Sequence, residues 1–390
     1  MCHILILPSW YPAGPSDARG VFFRDQALAL AEFGHRVGVA AVNMKSIRFV
    51  RQWRSYKRAQ AVEIDEGIAT YRRNLWAALP RVPYGNYKLW KAAAESVLER
   101  YVEENGMPDL IHAHCAVYAG IVAKKWGRRH GIPVVLTEHS SGFACRSFRP
   151  WQLKLAEEGA VGADACIAVS PALGWVLDDA LPRARGRWTW VPNVVGPRFC
   201  PEDTICSVTE RPKRLLNLGA MKENKGQADL LDAFSQAFGR SMRTAELWVG
   251  GSGPLRHRLE AQAQELGLGT RVRFLGHVAP TEVPSLMAQV DAVVVASHYE
   301  TFGVVAAEAL MAGVPVVATR CGGPESIVGE GDGHLVPPRD VRALARGLVS
   351  VIKDGKTSDR RAIAARAKAR FSSAAVGRQL TELYQTVLCP

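Results

Sequence analysis

The residues from His298 to Val317 read HYETFGVVAAEALMAGVPVV, and they include two glutamates, Glu300 and Glu308, separated by seven residues. The apolar run over residues 291–297 predicts a strand that ends just before the first glutamate. The residues between Gly303 and Gly313 predict a short helix that a glycine closes. Glu308 then lies one turn into that helix, so both carboxylates can face the loop at the end of the strand.

The first turn of this helix is suited to an anion. Its free backbone N–H groups, at Phe302–Val305, and the positive end of the helix dipole would both face a negatively charged group. Carboxylates beside an anion site are useful as hydrogen-bond acceptors for the hydroxyl groups of a sugar. Glutamates near a helix start are also typical of solvated caps, so this pair alone leaves both interpretations open.

Three glycine-containing segments strengthen the binding interpretation. They are Gly219–Gly226, which includes Lys225, Gly250–Leu255 and Cys321–Ser326. Each follows a predicted strand of the second half of the chain, so all three are expected on one edge of one sheet. Glycines there allow close approach of the backbone to a ligand.

Apolar runs of strand length alternate with amphipathic stretches along the whole chain. The runs lie at residues 3–7, 35–42, 110–114, 133–137, 165–169 and 188–192, and again at 214–218, 245–249, 272–274, 292–296 and 314–318. This alternation is typical of parallel sheets covered by helices on both faces. A polar, proline-containing stretch at residues 195–212 separates the two series. We therefore expect two doubly wound α/β domains, with a ligand site at the carboxyl ends of their strands, facing a central cleft.

The combination of motifs resembles the family 4 retaining glycosyltransferases, which have the GT-B fold of two Rossmann-like domains. The resemblance rests on E-x7-E at Glu300 and Glu308, F-G at Phe302-Gly303, G-x-G-P-L at Gly251–Leu255, F-L-G at Phe274–Gly276 and P-N at Pro192-Asn193. It covers the chain from about residue 4 onward. The implied organisation is an acceptor-side domain over residues 1–195 and a donor-binding domain over 196–370. A terminal helix at about 371–390 packs back on the first domain.

The resemblance also implies a role for each matched residue of the second domain. Glu308 would bind the ribose hydroxyls of a nucleotide-sugar donor, Glu300 the transferred sugar and Lys225 the diphosphate. The backbone N–H groups at Phe302, Gly303 and Val304 would assist at the diphosphate. The glycines Gly251, Gly322 and Gly323 are expected to be donor-binding positions, where the backbone approaches the ligand closely. The family usually has an arginine where this chain has Ala220, and Lys222 is the candidate to replace it.

In the first domain, Gly14 and Gly20 flank a loop that resembles the family's glycine-containing loop beneath the diphosphate. Thr137-Glu138-His139 resembles its T-x-H segment, in which the histidine lies beside the sugar and acceptor. His112 and His114 are spaced like a metal pair, but alternation places both on one strand face without a third ligand. We therefore predict no metal site there.

Composition excludes several other classes. The chain has 390 residues, 49 Lys+Arg against 37 Asp+Glu, and eight scattered cysteines without a C-x-x-C pair. These features are typical of a cytosolic globular protein, and neither a signal peptide nor an apolar run long enough to span a bilayer is found. A nicotinamide-binding G-x-G-x-x-G fails because Arg256 occupies the third glycine position, and no P-loop is present. No nucleic-acid-binding motif accompanies the high pI, so we expect no nucleic-acid partner.

The positive charge is concentrated in the first half, where 26 Lys+Arg face 17 Asp+Glu in residues 1–200. Residues 45–58 hold six cations and no acid, and their aromatic side chains share one helical face. This pattern predicts an amphipathic helix for an anionic membrane surface, and it also fits a basic helix that packs its aromatic side chains on the domain core. A phosphorylated acceptor would be a third use of the same charge.

The expected activity is therefore transfer of a hexose-type sugar from a UDP- or GDP-sugar, with retention, to a glycan or polyprenyl-diphosphate-linked acceptor. No D-x-D motif occurs, so we expect no metal and no other cofactor. The expected location is the cytoplasm, peripheral to the inner face of the cytoplasmic membrane. Because Ala220 weakens the phosphate site, a non-catalytic nucleotide-sugar-binding protein of the same fold is the alternative.

Overall fold

A computed structural model of the chain describes residues 1–14, 17, 19–47, 61–79, 82–199, 212–239, 245–354 and 359–389. The strands are β1 (His3–Pro8), β2 (Arg36–Ser46), β3 (Ala61–Asp65), β4 (Ile68–Ala77), β5 (Leu110–His114), β6 (Val134–Glu138), β7 (Ala165–Ala168), β8 (Trp188–Trp190), β9 (Lys213–Leu218), β10 (Ala245–Gly250), β11 (Val272–Gly276), β12 (Ala292–Val295), β13 (Val316–Thr319) and β14 (Gly333–Val336).

The α-helices alternate with these strands. They are α1 (Val21–Glu32), α2 (Gly85–Asn105), α3 (Ile121–His130), α4 (Pro150–Val161), α5 (Pro171–Ala180), α6 (Gln227–Phe238), α7 (Arg256–Glu265), α8 (Val283–Met287), α9 (Val304–Met311), α10 (Val341–Asp354), α11 (Arg360–Phe371) and α12 (Ser373–Leu388).

The chain divides into two compact units. The first contains Met1–Val194 and Ser373–Pro390, and the second contains Val195–Ser372. These boundaries differ by one or two residues from those expected from the sequence. The terminal helix α12 belongs to the first unit, where it packs on α1: Val376, Leu380 and Tyr384 share a core with Phe23 and Leu30.

The first unit is built on a sheet of order β3-β4-β2-β1-β5-β6-β7-β8. All neighbouring strands are parallel except the β3–β4 pair, which is antiparallel. Residues 4–7 of β1 at the centre have no exposed surface, as expected for a strand covered on both faces. The strand order reverses between β1 and β5, which creates a crevice at their carboxyl ends.

The second unit is built on a parallel sheet of order β11-β10-β9-β12-β13-β14. This is the order of a dinucleotide-binding fold, and the reversal lies between β9 and β12. Its core combines the inward side chains of these strands with those of α6, α7 and α10. The predicted α/β fold with two Rossmann-like sheets is confirmed.

The amphipathic helix predicted over residues 45–58 is wrong at its first residues. Lys45 and Ser46 continue β2 and pair with Trp76 and Ala77 of β4, because the neighbouring strand satisfies their backbone groups. Residues 48–60 lie outside the described residues.

Candidate active site

The two residues expected to act on the donor sugar and diphosphate lie side by side in the second unit. Lys225 ends a short helical turn after β9, and Glu300 follows β12. The Lys225 Nζ atom lies 2.5 Å from Glu300 Oε1, to which the Ser297 hydroxyl also donates, at 2.7 Å. Both charged side chains are largely buried, 26% and 17% exposed. The pair thus occupies the crevice between β9 and β12, where the strand order reverses.

Gly226 is what allows the Lys225 loop to approach β12. Its φ is +62°, and a Cβ atom there would lie 2.0 Å from the carbonyl oxygen of Ala296. The loop is fastened further by the His298 N–H, which donates to the Asn224 carbonyl at 2.8 Å, and by a 2.8 Å contact between His298 Nε2 and Asp229. Lys225 can therefore reach this position only because glycine follows it. A larger residue at position 226 would clash with the backbone of Ala296.

Glu308 lies in α9, which begins at Val304, and its side chain is half-buried. Gly303 precedes the helix with a φ of +95°. Phe302 is 1% exposed and packs edge-on against Phe371, so its side chain belongs to the core while its backbone leads into the helix. The Ala306 N–H donates to the Gly303 carbonyl at 2.9 Å. The N–H groups of Val304 and Val305 precede the first i→i−4 bond of the helix, as at any helix start.

The glycines after β10 and β13 are required because neighbouring backbone atoms leave no room for a Cβ atom. A Cβ on Gly323 would lie 2.1 Å from the Phe302 carbonyl oxygen, and a Cβ on Gly251 would lie 1.9 Å from that of Gly219. The N–H of Gly323 donates to the Glu300 carbonyl, and that of Gly322 to the Glu325 carboxylate. These contacts hold the Glu300 loop against the loop after β13. The sequence predicted that these glycines let a ligand approach the backbone, but it did not predict this contact between the two loops.

Lys222, the candidate replacement for the family arginine, is exposed. Its backbone N–H donates to the carbonyl of Ala220 at 2.9 Å, which fixes the turn that leads to Lys225. The structure therefore brings Lys225 and Glu300 together and leaves Lys222 on the surface of the second unit.

In the first unit, Gly20 precedes α1 with a φ of +79°. A side chain there would meet the rings of Phe23 and Trp10, at 2.8 and 3.2 Å. The preceding Arg19 is mostly exposed and pairs with Asp17. Both the positive φ and the nearby rings therefore favour glycine at position 20, in the loop that follows β1.

His139 follows β6 and lies in a buried histidine cluster. Its Nε2 atom is 3.0 Å from His114 Nδ1, and its ring stacks on Phe22 with the Phe23 ring edge-on. The His114 ring in turn stacks on that of His112 at 4.4 Å. His139 therefore stands next to the histidine pair on β5, a neighbour that sequence spacing did not reveal.

Burial determines the charge of this cluster. It lowers the pKa of His112 and of His139 to about 3, and it lowers that of His114 well below its usual value. His112 is held by Tyr384 of α12, 2.6 Å from Nδ1, and by the Thr137 hydroxyl, 2.7 Å from Nε2. All three imidazoles are therefore neutral near pH 7.

Sequence reasoning did not find Ser297, Glu138 or the aromatic pair around His139. Ser297 lies two residues after β12 and three before Glu300, so a hydroxyl just past a strand end and next to a predicted carboxylate was a usable signal. Glu138 lies inside the T-x-H segment but carried no signal of its own.

Comparison with known proteins agrees with this fold and identifies the family. The family model described as Glycosyltransferase Family 4 matches residues 20–198, and the one described as Glycosyl transferases group 1 matches residues 206–370. A D-inositol 3-phosphate glycosyltransferase from Corynebacterium urealyticum is 30% identical over 410 residues, 96% of this chain and 92% of that protein. The chain belongs to glycosyltransferase family 4.

Two further matches complete the comparison for this glycosyltransferase. Glycogen synthase from Mycobacterium tuberculosis is 30% identical over 270 residues, which are 66% of this chain and 64% of that protein, less than two thirds of its length. The structure of HepE from Anabaena in complex with UDP-glucose aligns with a TM-score of 0.72 at 23% identity, covering 99% of this chain and 100% of that one. At that identity the likeness shows the GT-B fold.

Two negative findings apply to the described residues of the glycosyltransferase. Within them, no three or more His, Cys, Asp or Glu side chains form a group that could hold a metal ion. Over the same part of the chain, no helix has the length and apolar character needed to cross a membrane.

Proposed function

We propose that this glycosyltransferase moves a hexose, with retention, from a UDP-sugar to a glycan or polyprenyl-diphosphate-linked acceptor. The observation that carries the proposal is the Lys225–Glu300 pair in the β9–β12 crevice, with Glu308 on the adjoining α9. UDP is favoured over GDP by the UDP-glucose in the HepE structure of the same fold.

Each charged group is assigned to the part of the donor that its chemistry suits. Lys225 and the N-terminus of α9 would stabilise the negative charge that develops on the departing diphosphate. Glu308 would accept hydrogen bonds from the ribose hydroxyls and Glu300 from the hydroxyls of the transferred sugar. Gly20, Gly251, Gly322 and Gly323 are assigned to the loops that shape the donor site.

The reaction itself would proceed on one face of the sugar. The acceptor hydroxyl forms its bond to the anomeric carbon from the side on which the bond to the diphosphate breaks, and its proton passes to a phosphate oxygen of the donor. His139 is assigned a catalytic role as a neutral imidazole. Since Lys225 and the helix N-terminus supply the positive charge, we propose that no metal ion is needed.

The decisive experiment changes Lys225 to Ala and measures UDP affinity by calorimetry and release of UDP from UDP-glucose by a coupled assay. Loss of a charge-assisted contact of about 1.5–3 kcal/mol predicts roughly 10- to 100-fold weaker UDP binding. Lys222→Ala is the matched control, because that lysine is exposed on the same turn, and it is expected to change affinity much less.

Two outcomes would contradict this assignment. Wild-type UDP affinity in Lys225→Ala would remove the diphosphate role, and loss of UDP-glucose turnover in EDTA with recovery on adding Mn²⁺ would contradict the metal-independent reaction. A screen of ADP-, GDP- and UDP-sugars by thermal shift identifies the donor base in the same preparation.

For the acceptor side we propose attraction to an anionic membrane surface through the cations of residues 45–58. The support is their charge, six Lys and Arg without an acid. Co-flotation with vesicles that contain phosphatidylglycerol, but not with pure phosphatidylcholine, is expected, and Arg51→Glu/Arg54→Glu should abolish it. Arg128→Glu/Arg129→Glu, at exposed cations of α3, is the matched charge control. Equal flotation of both double variants would contradict the proposal.

A further inference from the structure

Glu138, the last residue of β6, has a completely buried side chain at the base of the His139 loop. Its Oε1 atom accepts the N–H groups of His139 and Ser140, at 2.8 and 2.7 Å. Its Oε2 atom accepts the N–H of Ala116 at 2.7 Å. One carboxylate thus binds the backbone of two loops, the one after β5 and the one after β6.

Cys115 completes this arrangement. Its thiol hydrogen-bonds the Glu138 carboxylate, and burial raises the pKa of the thiol well above its usual value, so the S–H proton is retained and donated. Its N–H donates to the Thr137 carbonyl at 2.8 Å, and its φ is +71°, an uncommon conformation for a residue with a side chain. The carboxylate therefore fastens a backbone turn that would otherwise be unfavourable.

The four donors around Glu138 are neutral groups, three amides and a thiol. Burial raises the pKa of Glu138, and its hydrogen bonds oppose that shift. Burying an acidic side chain among neutral donors costs free energy that an apolar residue of similar size would not cost. The arrangement makes physical sense if what matters is the orientation of the peptides that it holds.

The residue held most directly is His139. With its N–H bound to Oε1 of Glu138, its backbone is fixed, and its ring is fixed separately by Phe22, Phe23 and the nitrogen of His114. We propose that Glu138 is a positioning residue for His139, which sets the His139–Ser140 peptides and thereby the place of the imidazole. This inference rests on the proposed catalytic role of His139.

A double-mutant cycle tests the coupling. Glu138→Gln, His139→Ala and the double variant are compared by the kcat and KM for UDP release from UDP-glucose, with UDP affinity measured by calorimetry. Gln keeps the size of the side chain but replaces one acceptor oxygen by an NH₂ group, which faces a donor. We expect at least tenfold lower kcat in Glu138→Gln, with KM and UDP affinity within twofold of wild type.

The expected result for the cycle is that the double variant is no slower than His139→Ala, because Glu138 acts through that residue. Independent, multiplicative effects of the two changes would overturn the proposal. Leu98→Ala, in the buried face of α2, provides a variant with a comparable loss of Tm and is expected to keep its kcat. If Leu98→Ala loses as much kcat as Glu138→Gln, the effect of Glu138 is one of general stability and the proposal is refuted.

Hydrogen exchange separates this inference from the proposed function. Faster exchange at the amides of Ala116, His139 and Ser140 in Glu138→Gln, at unchanged protection of Val135, is expected if the carboxylate holds the loops. Should His139→Ala keep full activity, the catalytic role fails while this local loosening is still observed. Unchanged exchange at all three amides would overturn the positioning role itself. If Glu138→Gln does not unfold cooperatively and is therefore not folded, Glu138→Asp is used in its place in every measurement.

Discussion

At the scale of single residues, Lys225 and Glu300 neutralise each other in an ion pair. The Nζ–Oε1 distance of 2.5 Å and the Ser297 hydrogen bond keep the lysine aimed at the carboxylate. On the proposed diphosphate role of Lys225, a diphosphate would compete with Glu300 for the same ammonium group. Binding of the phosphates would release the carboxylate, which is then available to accept hydrogen bonds from a sugar.

Changing Glu300 to Gln tests this competition. With its partner neutral, Lys225 is free for the diphosphate, so UDP affinity is expected to be equal to wild type or up to about tenfold tighter, a gain of about 1.4 kcal/mol. Turnover of UDP-glucose should fall at least 100-fold, because the sugar loses its charged acceptor. Calorimetry and the UDP-release assay measure both, and Glu330→Gln, at an exposed glutamate of the same unit, is the control. Weaker UDP binding in Glu300→Gln would contradict the competition.

Gly226 carries a second prediction at this scale. Gly226→Ala places a Cβ 2.0 Å from the Ala296 carbonyl oxygen at a φ of +62°, so the Lys225 loop must move. Gly269 has a φ of +50° with open space around it, so Gly269→Ala reports conformational strain alone. We expect Gly226→Ala to lose about 1–3 kcal/mol more in urea unfolding than the control, and to bind UDP more weakly. Equal stability of the two variants would show that the loop has room to adjust.

At the scale of elements, the strands buried on both faces were predictable and the edge of the first sheet was not. β1 and β12 read as apolar runs of strand length, because parallel central strands are covered on both sides. β5 and β9 are interrupted by polar residues such as His112 and Asn217, which are buried in the sheet. The β3–β4 hairpin was missed, since β3 is exposed along most of its length and its sequence, AVEID, offers only a short alternation. Its pairing with β4 is a local hairpin closed by Glu66-Gly67, both with positive φ, so the glycine of that turn was a usable signal.

The histidines at the ends of β5 and β6 predict how the first unit responds to acid. Their folded pKa values lie below the unfolded value of about 6.5, so the unfolded chain takes up protons first as the pH falls. The free energy of unfolding is therefore highest above pH 6.5 and falls below it, by about 1.4 kcal/mol per histidine and pH unit. Urea unfolding of this unit at pH 7.5 and 5.5 should differ by about 4 kcal/mol from the three residues together.

Two histidine variants, one at a buried and one at an exposed residue, test whether the buried histidines cause this pH dependence. His112→Gln removes one buried titrating group while leaving a polar side chain for Tyr384 and Thr137, so the difference between the two pH values should shrink by about one third. His130→Gln, at an exposed histidine of α3 in the same unit, should leave the difference unchanged. An identical pH difference in His112→Gln and wild type would mean that His112 does not stay neutral in the folded unit.

At the scale of the whole molecule, the two sheets have separate cores, and the motifs divide between them. The meeting of Lys225 and Glu300 was predictable because each follows a strand of one sheet, and parallel strands bring their carboxyl ends to one edge. The surroundings of His139 were not, since Phe22, His114 and Tyr384 reach it or its neighbours from distant parts of the chain. Sequence spacing predicts which edge a residue occupies, but not which side chains pack around it.

The separate cores predict that a nucleotide stabilises one sheet selectively. If UDP binds at the β9–β12 crevice, as proposed, it stabilises the second unit by RT ln(1 + [UDP]/Kd), about 2.7 kcal/mol at 100 times the Kd. Core amides that exchange only by unfolding of that unit, such as those of Leu216, Val249 and Val294, should exchange about 100-fold more slowly. Those of Ile6 and Leu136 in the first sheet should change little. Hydrogen exchange with mass spectrometry measures both sets in one sample, and Lys225→Ala at the same UDP concentration is the control. Equal slowing in the two sheets would mean that they unfold as one cooperative body, in which case the nucleotide's stabilisation is shared by the whole chain.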